Sequence, residues 1–432
     1  MVMKTRILII FLFALIMAAC APKSKEQTGF ALDDQLIVLG SDSSVYPEPG
    51  EDGEISDEEW EDFSYQSEFY ILSARSGELL SEKGFAHLSS FSEGLAVASD
   101  ADGCFYYVNQ KGEQVIRERF KAATFFSEDR AWVLDDNDEF WVIDKSGKKL
   151  FTVGNAAEVH VYNEGKTVVT TLDAYTEVYD RDGNMLLSTQ DGSSGFVSSD
   201  MLIVHKDGGS GLIDLLGSFV LSPDYHAIGA LQWFDMSAFA SYVNRVAAVV
   251  HGDDGCGVVS LEREEIVPLV YSDAVLDGKY IFAATDNHAL WFDYRGSKVI
   301  EGGYDAAYPF GDGKYAAVCD DGLWGFVDEE GHWTINPQWT FVAGSFDAEG
   351  RAVVHDNETM MAGLINESGA YVIPAEYAFI ARIGRSDRYL LSSEERYGIA
   401  SADGRMILQP QQYTLTNSIC DYSHYSIHCE TN

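Results

Sequence analysis

Four residues near the C-terminus, Cys420, His424, His428 and Cys429, are of the types that ligate zinc, and two runs, Asp100-Ala101-Asp102-Gly103 and Asp180-Arg181-Asp182-Gly183, open like calcium loops. Neither set carries through. Tyr422, Tyr425, Ser426 and Ile427 favour a strand around the histidines, and on a strand two residues four apart stand about 13 Å from each other, too far for one ion. Cys420 and Cys429 are candidates for a local disulfide instead, with plain packing as the other reading. The acidic runs lack the third acid and the distal Glu that an EF-hand loop requires, so each is read as a turn. His-Glu-x-x-His, Gly-x-Ser-x-Gly and a Gly-rich phosphate loop before a helix are all absent. No catalytic residue, metal or cofactor is therefore assigned. A site gathered from several repeat units would leave no local motif, which keeps a composite hydrolase or lyase site open as a rival.

One cluster suggests recognition rather than catalysis. Between Tyr225 and Val246 the chain carries about ten residues more than its spacing elsewhere needs, among them Trp233, Phe234, Met236 and Phe239. Exposed in a loop, Trp233, Phe234 and Phe239 would anchor a protein or glycan partner; turned inward, they would cap the core between neighbouring units.

The first twenty residues concern the compartment. Lys4 and Arg6 precede an apolar run from Ile7 to Ala19 that is too short to span a bilayer but suits a signal-peptide core. The run stops at Met17-Ala18-Ala19-Cys20, which resembles the lipobox of bacterial lipoproteins. That resemblance implies cleavage of residues 1–19, acylation of Cys20 and attachment to a membrane outside the cytoplasm. Residues 20–67, with Gly50-Glu51-Asp52-Gly53-Glu54 and Asp57-Glu58-Glu59-Trp60-Glu61-Asp62 at their heart, then read as an acidic, solvated tether reaching on the order of 40 Å. Over the whole chain 29 basic against 69 acidic residues give a net charge of −40. A field of that sign repels nucleic acid and excludes DNA or RNA as partners. The remaining cysteines, Cys104, Cys256 and Cys319, are spread through a long chain and read as small buried hydrophobes.

From residue 68 to the C-terminus one pattern recurs. The clearest copy runs Leu323-Trp324-Gly325-Phe326-Val327-Asp328-Glu329-Glu330-Gly331, then Ile335-Asn336-Pro337, Trp339 and Gly350-Arg351-Ala352-Val353-Val354. Its turn glycine recurs at Gly77, Gly112, Gly147, Gly183, Gly217, Gly296, Gly331, Gly369 and Gly404, with Arg263 in the remaining unit. Asp, Asn or Ser usually stands three positions earlier, so each unit should turn back on itself in a hairpin, the side chain bonding backbone N–H groups while Gly takes positive φ. Pro223, Pro268, Pro337, Pro374 and Pro410 follow five or six positions after the turn residue, where a strand must end or lie at a sheet edge.

These residues resemble the WG-repeat family. Trp324-Gly325 is the literal match; Gly363, Gly398, Gly211 and Gly257 keep the second position under Ala362, Tyr397, Ser210 and Cys256, and Asp328, Gly331, Pro337, Gly369, Pro374, Gly404 and Pro410 complete the signature. Units of the first half, such as Phe105-Tyr106-Tyr107-Val108-Asn109, keep the hairpin without the Trp-Gly pair or the proline. The resemblance implies a bacterial repeat scaffold and no catalytic residues.

A unit of about 35 residues holds four short strands, a lean propeller blade. The chain is thus expected to be all-β, with about ten units over 68–432 arranged as one large propeller-like ring, as two smaller propellers divided near residue 210, or as a β-solenoid. The functional expectation is a lipid-anchored cell-envelope binding or scaffolding protein that presents this surface to a protein or polysaccharide. Its rivals are the composite-site hydrolase or lyase and a purely structural spacer.

Overall fold

The Asx-x-x-Gly stretches close the way their chemistry requires. Asp144 Oδ1 accepts the N–H groups of Ser146 at 2.9 Å and Lys148 at 3.1 Å, Gly147 N donates to Asp144 O at 2.8 Å, and Gly147 takes a φ of 83°. Asn109, Asp180, Asp214, Asp293, Asp328 and Asn366 accept the same two N–H groups in their own turns. In the third, fourth, fifth, eighth and ninth sheets the turn joins the last two strands of a small antiparallel sheet, and in the second and seventh the chain beyond it returns in a single bridge, Val108 to Gln114 and Phe292 to Lys298. In the third sheet the two strands so joined are Phe140–Ile143 and Lys149–Thr152, preceded by Ala122–Ala123 and Ala131–Leu134.

The computed structural model describes residues 36–42, residues 67–410 apart from 199, 230–241, 286–287, 301–302, 312, 385 and 394–395, and residues 426–428. Among them are ten antiparallel sheets and no helix, one sheet for each of the nine turn glycines and for Arg263. Pro223, Pro268, Pro337 and Pro374 all lie in the last strand of their sheet, an edge where a missing N–H costs no ladder bond.

The sheets stack through apolar clusters that straddle the junctions between them. Val97 and Tyr107 of the second sheet pack on Ala131, Val133 and Ile143 of the third; Leu364 and Ile373 of the ninth pack on Leu391 and Ala400 of the tenth. Leu72 and Ala74 of the first sheet share a cluster with Leu390, Ile399 and Leu408 of the tenth. The stack therefore closes on itself as one propeller-like ring of ten sheets, neither two smaller propellers nor an open solenoid. Residue 210 divides nothing, since Ile203 and Leu212 of the fifth sheet share a cluster with Ala248 and Val250 of the sixth. Turn glycines help the closure: a Cβ on Gly147 would lie 2.8 Å from Ile116 of the preceding sheet, and one on Gly77 would lie 3.1 Å from Ile407 O of the tenth.

The sequence misjudged the start of this body. Leu36–Asp42, inside the stretch expected to be a solvated tether, pairs antiparallel with Ser67–Ser73 from Leu36 opposite Ser73 to Asp42 opposite Ser67. Leu36-Ile37-Val38-Leu39 is apolar enough to form a strand, and the acid run begins only beyond it. In the fourth, sixth and ninth sheets the last strand carries exposed residues, Met185, Val270 and Tyr371 among them, and so faces solvent. The first strands Ala156–His160 and Gly192–Ser198 of neighbouring sheets touch one another on the inner side.

Candidate binding clefts

The signature residues build the scaffold. Trp324 is buried, its ring tilted against Tyr308 at 5.3 Å, and it is paired in register with Trp339. Gly325 is skipped by the ladder, which passes from Trp324 opposite Trp339 to Phe326 opposite Ile335, and the strand bulging over it brings Pro337 against the glycine. Gly211, Gly257 and Gly363 sit under the same bulge beside Pro223, Pro268 and Ala375, and Gly398 lies against Pro410. Asp328, with Glu330 and His332 at carboxylate-imidazole distances under 4.8 Å, spends Oδ1 on the N–H groups of those two residues, as its repeat turn demands. Gly331, Gly369 and Gly404 take positive φ in equivalent turns.

The calcium-like run at Asp100 holds a guanidinium instead. Asp100 accepts from Arg119 and from the Tyr106 hydroxyl, each at 2.8 Å, while Asp102 pairs with the same Arg119. Partial burial pushes the Asp100 carboxyl up, but the bonds from Tyr106 and Arg119 outweigh it and hold the group below the ordinary carboxylate range. Trp233, Phe234, Phe239, Cys420, Cys429 and Cys20 lie outside the described residues.

Neighbouring sheets are also clamped by charge along the rim that carries the repeat turns. Lys145, in the turn of the third sheet, bridges Glu93 of the second and Asp129 of its own sheet, both at 2.9 Å. In the second half the polarity reverses: Lys279 and Lys314, in loops between first and second strands, pair with Glu329 and Glu367 in the turn of the next sheet. Between the eighth and ninth sheets this rim forms a cleft of about 490 Å³ lined by Lys314, Asp347, Glu349, Arg351 and Glu367. Its acids are engaged. Asp347 accepts the Tyr389 hydroxyl, Glu349 lies 3.6 Å from Arg382, and Glu367 lies 3.6 Å from Lys314. Such an arrangement ties sheets together and leaves these carboxylates poorly placed for acid–base work.

A cleft of different character lies on the opposite rim, at the fourth sheet. A hollow of about 500 Å³, wide open to solvent, is lined by Asn155, Thr171, Asp173, Tyr175, Glu177, Tyr179 and Ser188 with Val153 and Gly154. The crossover from the third sheet supplies Asn155, whose Nδ2 donates to Asp173 Oδ2 at 2.8 Å. The hairpin Thr171–Tyr175 is set by Thr171 Oγ1, which accepts the Tyr175 N–H at 3.0 Å. Gln190 Nε2 donates to the Tyr175 hydroxyl at 2.7 Å, and the Tyr179 hydroxyl donates to Glu177 at 2.6 Å. Burial and that bond to Glu177 raise the Tyr179 phenol well above its ordinary range, so it stays protonated and a donor. Two tyrosines and fixed carboxylate, amide and hydroxyl groups therefore line one open hollow of mixed polar and apolar surface, a composition suited to orienting a ligand. Nothing in the sequence marked it, because its members come from a crossover, a hairpin and alternate positions of two strands.

A family model described as WG containing repeat matches residues 107–137, 291–324 and 324–358. The first of these stretches is a unit without the Trp-Gly pair or the proline. Comparison with curated proteins found no match. Among solved structures, the chain is similar to the computationally designed Ika8 protein at 15% identity, covering 71% of this chain and 99% of that one with a TM-score of 0.35. BamB from Moraxella catarrhalis aligns at 13% identity over 74% of this chain and 91% of its own, TM-score 0.30. KlHsv2 with loop 6CD replaced by a Gly-Ser linker aligns at 9% over 55% and 88%, TM-score 0.30.

Proposed function

We propose that this chain is a binding protein of the bacterial cell envelope, anchored through acylated Cys20 and presenting its ring to a polysaccharide. The observation that carries the ligand class is the fourth-sheet cleft, which Tyr175 and Tyr179 line beside Asp173, Glu177 and Asn155. Ring faces cover the apolar side of a sugar, while carboxylate and amide oxygens accept from its hydroxyl pairs. A net charge of −40 works against polyanionic glycans, so the favoured ligand is neutral or carries amino sugars. The ring supplies rigidity, since each sheet is packed on two others and the cleft is built on strands and short hairpins.

Binding is tested by titrating neutral, amino-substituted and polyanionic polysaccharides into the chain from residue 20 onward with Cys20→Ser. Saturable binding of a neutral or amino-sugar polymer, lost in Tyr175→Ala with an unchanged melting temperature, supports the proposal. Binding unaffected by that substitution, or confined to polyanions, removes the cleft. For the anchor, mass spectrometry of the N-terminal peptide from membranes should find acyl chains on Cys20, and Cys20→Ser should release the protein to the soluble fraction.

A further inference from the structure

The first strand of the fourth sheet is unlike its counterparts. Among the described residues it alone has a partner on its inner side: Ser426–His428 adds to it antiparallel, with Glu158 opposite His428, Val159 opposite Ile427 and His160 opposite Ser426. The second, third, fifth, sixth, seventh, eighth and tenth sheets each end on their own first strand, and the ninth ends on a single bridge from Val342 to Val354. The added strand comes from beyond the tenth sheet, whose last strand ends at Leu408, rather than from either neighbouring sheet. It is therefore supplied to the fourth sheet as a separate segment, not as part of the repeat.

The acceptor strand is suited to the task. Several first strands are only two residues long, such as His87–Leu88, Ala122–Ala123 and Ala227–Ile228, whereas Ala156–His160 has five and is bulged between Ala156 and Glu158. Its last residue is fastened from behind: the His160 carbonyl accepts from Thr167 Oγ1, which in turn receives the Trp132 indole N–H at 2.9 Å. A strand edge held rigid with its N–H and C=O groups unpaired is a template for another strand. Recognition of this kind runs through the backbone and tolerates many sequences.

We propose that the inner edge of Ala156–His160 is a strand-acceptor site for an extended segment of a protein partner, and that residues 426–428 fill it in cis. The tethered segment competes at an effective concentration of roughly millimolar. It keeps the edge paired until a partner strand displaces it, which also protects the chain from edge-to-edge association.

The probe is a fluorescent peptide of residues 422–432 carrying Cys429→Ser, titrated into three proteins with Cys20→Ser: the full chain, the chain ending at Pro410, and the full chain with Ile427→Pro. The two opened proteins should bind it saturably, the full chain at least tenfold more weakly, and an N-methyl group on the Ile427 amide of the peptide should abolish binding. The point variant covers the case in which truncation disturbs the fold, and a melting temperature within a few degrees of the full chain qualifies either one. No saturable binding by the opened proteins, equal binding by all three, or indifference to N-methylation would overturn the proposal.

Discussion

Gly325 and Pro337 are two halves of one device. A Cβ on Gly325 would lie 2.7 Å from Pro337 N and 2.6 Å from Ile335 O, where the last strand of the eighth sheet bulges over it. Glycine is needed because the backbone of the neighbouring strand occupies the side-chain position, and proline is tolerated because the bulge leaves its nitrogen without a ladder partner. In the third sheet, where neither residue is present, the ladder runs from Trp141 opposite Thr152 to Val142 opposite Phe151 without that skip.

Gly325→Ala should therefore destabilise the ring by about 1–3 kcal/mol, as over-packing does. Gly154→Ala is the control, since nothing lies within 4 Å of a Cβ there. Urea melts of the two variants should separate; equal midpoints would mean that the bulge relaxes freely.

Arg263 shows what replaces the turn glycine in the sixth sheet. It keeps the left-handed backbone, φ 72°, and its guanidinium donates to Phe219 O and Val220 O of the preceding sheet, both at 3.1 Å. Arg263→Ala keeps the strain and loses both bonds, so it should cost about 1–3 kcal/mol. Arg263→Gly loses the same bonds but relieves about 1 kcal/mol or more of backbone strain, and should lie measurably closer to the parent. Identical losses in chemical denaturation would mean that the bonds contribute everything.

Much of this architecture was legible in the residues, and the reasons are local. Asx-x-x-Gly writes its turn into four positions, and the proline marks the edge strand, so hairpins and sheet boundaries follow from short-range chemistry. Closure was not legible, because it rests on Leu72 and Leu408 meeting across nearly the whole chain, and no local pattern distinguishes a ring from a solenoid. The fourth-sheet cleft was hidden for the same reason: Asn155 and Ser188 mean nothing until the sheet brings them together. Leu36–Asp42 was missed because neighbouring carboxylates dominated the composition of its segment.

The reversed charge pairs should behave as exchangeable clamps. Lys279→Glu alone places two acids together at Glu329, and the double variant Lys279→Glu, Glu329→Lys restores an opposite pair. Both side chains are well exposed, so the coupling in a double-mutant cycle should be only about 0.2–1 kcal/mol and should fade in about 1 M salt. A coupling that survives high salt would show that packing, not charge, joins these positions.

Acid should loosen the ring through two half-buried imidazoles. His251 Nε2 lies 2.8 Å from Gly229 O and His355 Nδ1 lies 3.0 Å from Met360 O; burial holds both imidazoles below the ordinary histidine value, more than the carbonyl bonds raise them. A lowered folded pKa means that stability is fully present above the unfolded value near 6.5 and is lost as pH falls through the folded one. Melting temperature should be flat above neutrality and decline below about pH 6.5. The His251→Gln, His355→Gln double variant should decline less steeply, and an equal slope would exclude these two groups as the cause.

The last prediction separates a ring from a stack with two ends. In a stack, truncating an apolar residue of the terminal unit costs little, because one face of that unit is bare and frays. Here Leu72 of the first sheet is as fully buried as Leu364 of the ninth, at 1% and 0% exposure, and its neighbours belong to the tenth sheet. Leu72→Ala and Leu364→Ala should therefore each cost about 2–5 kcal/mol. They should also broaden or shift the same single unfolding transition, since every sheet is interior to a closed ring. If Leu72→Ala instead produced an early partial transition while Leu364→Ala shifted the main one, the first and tenth sheets would not be joined in solution.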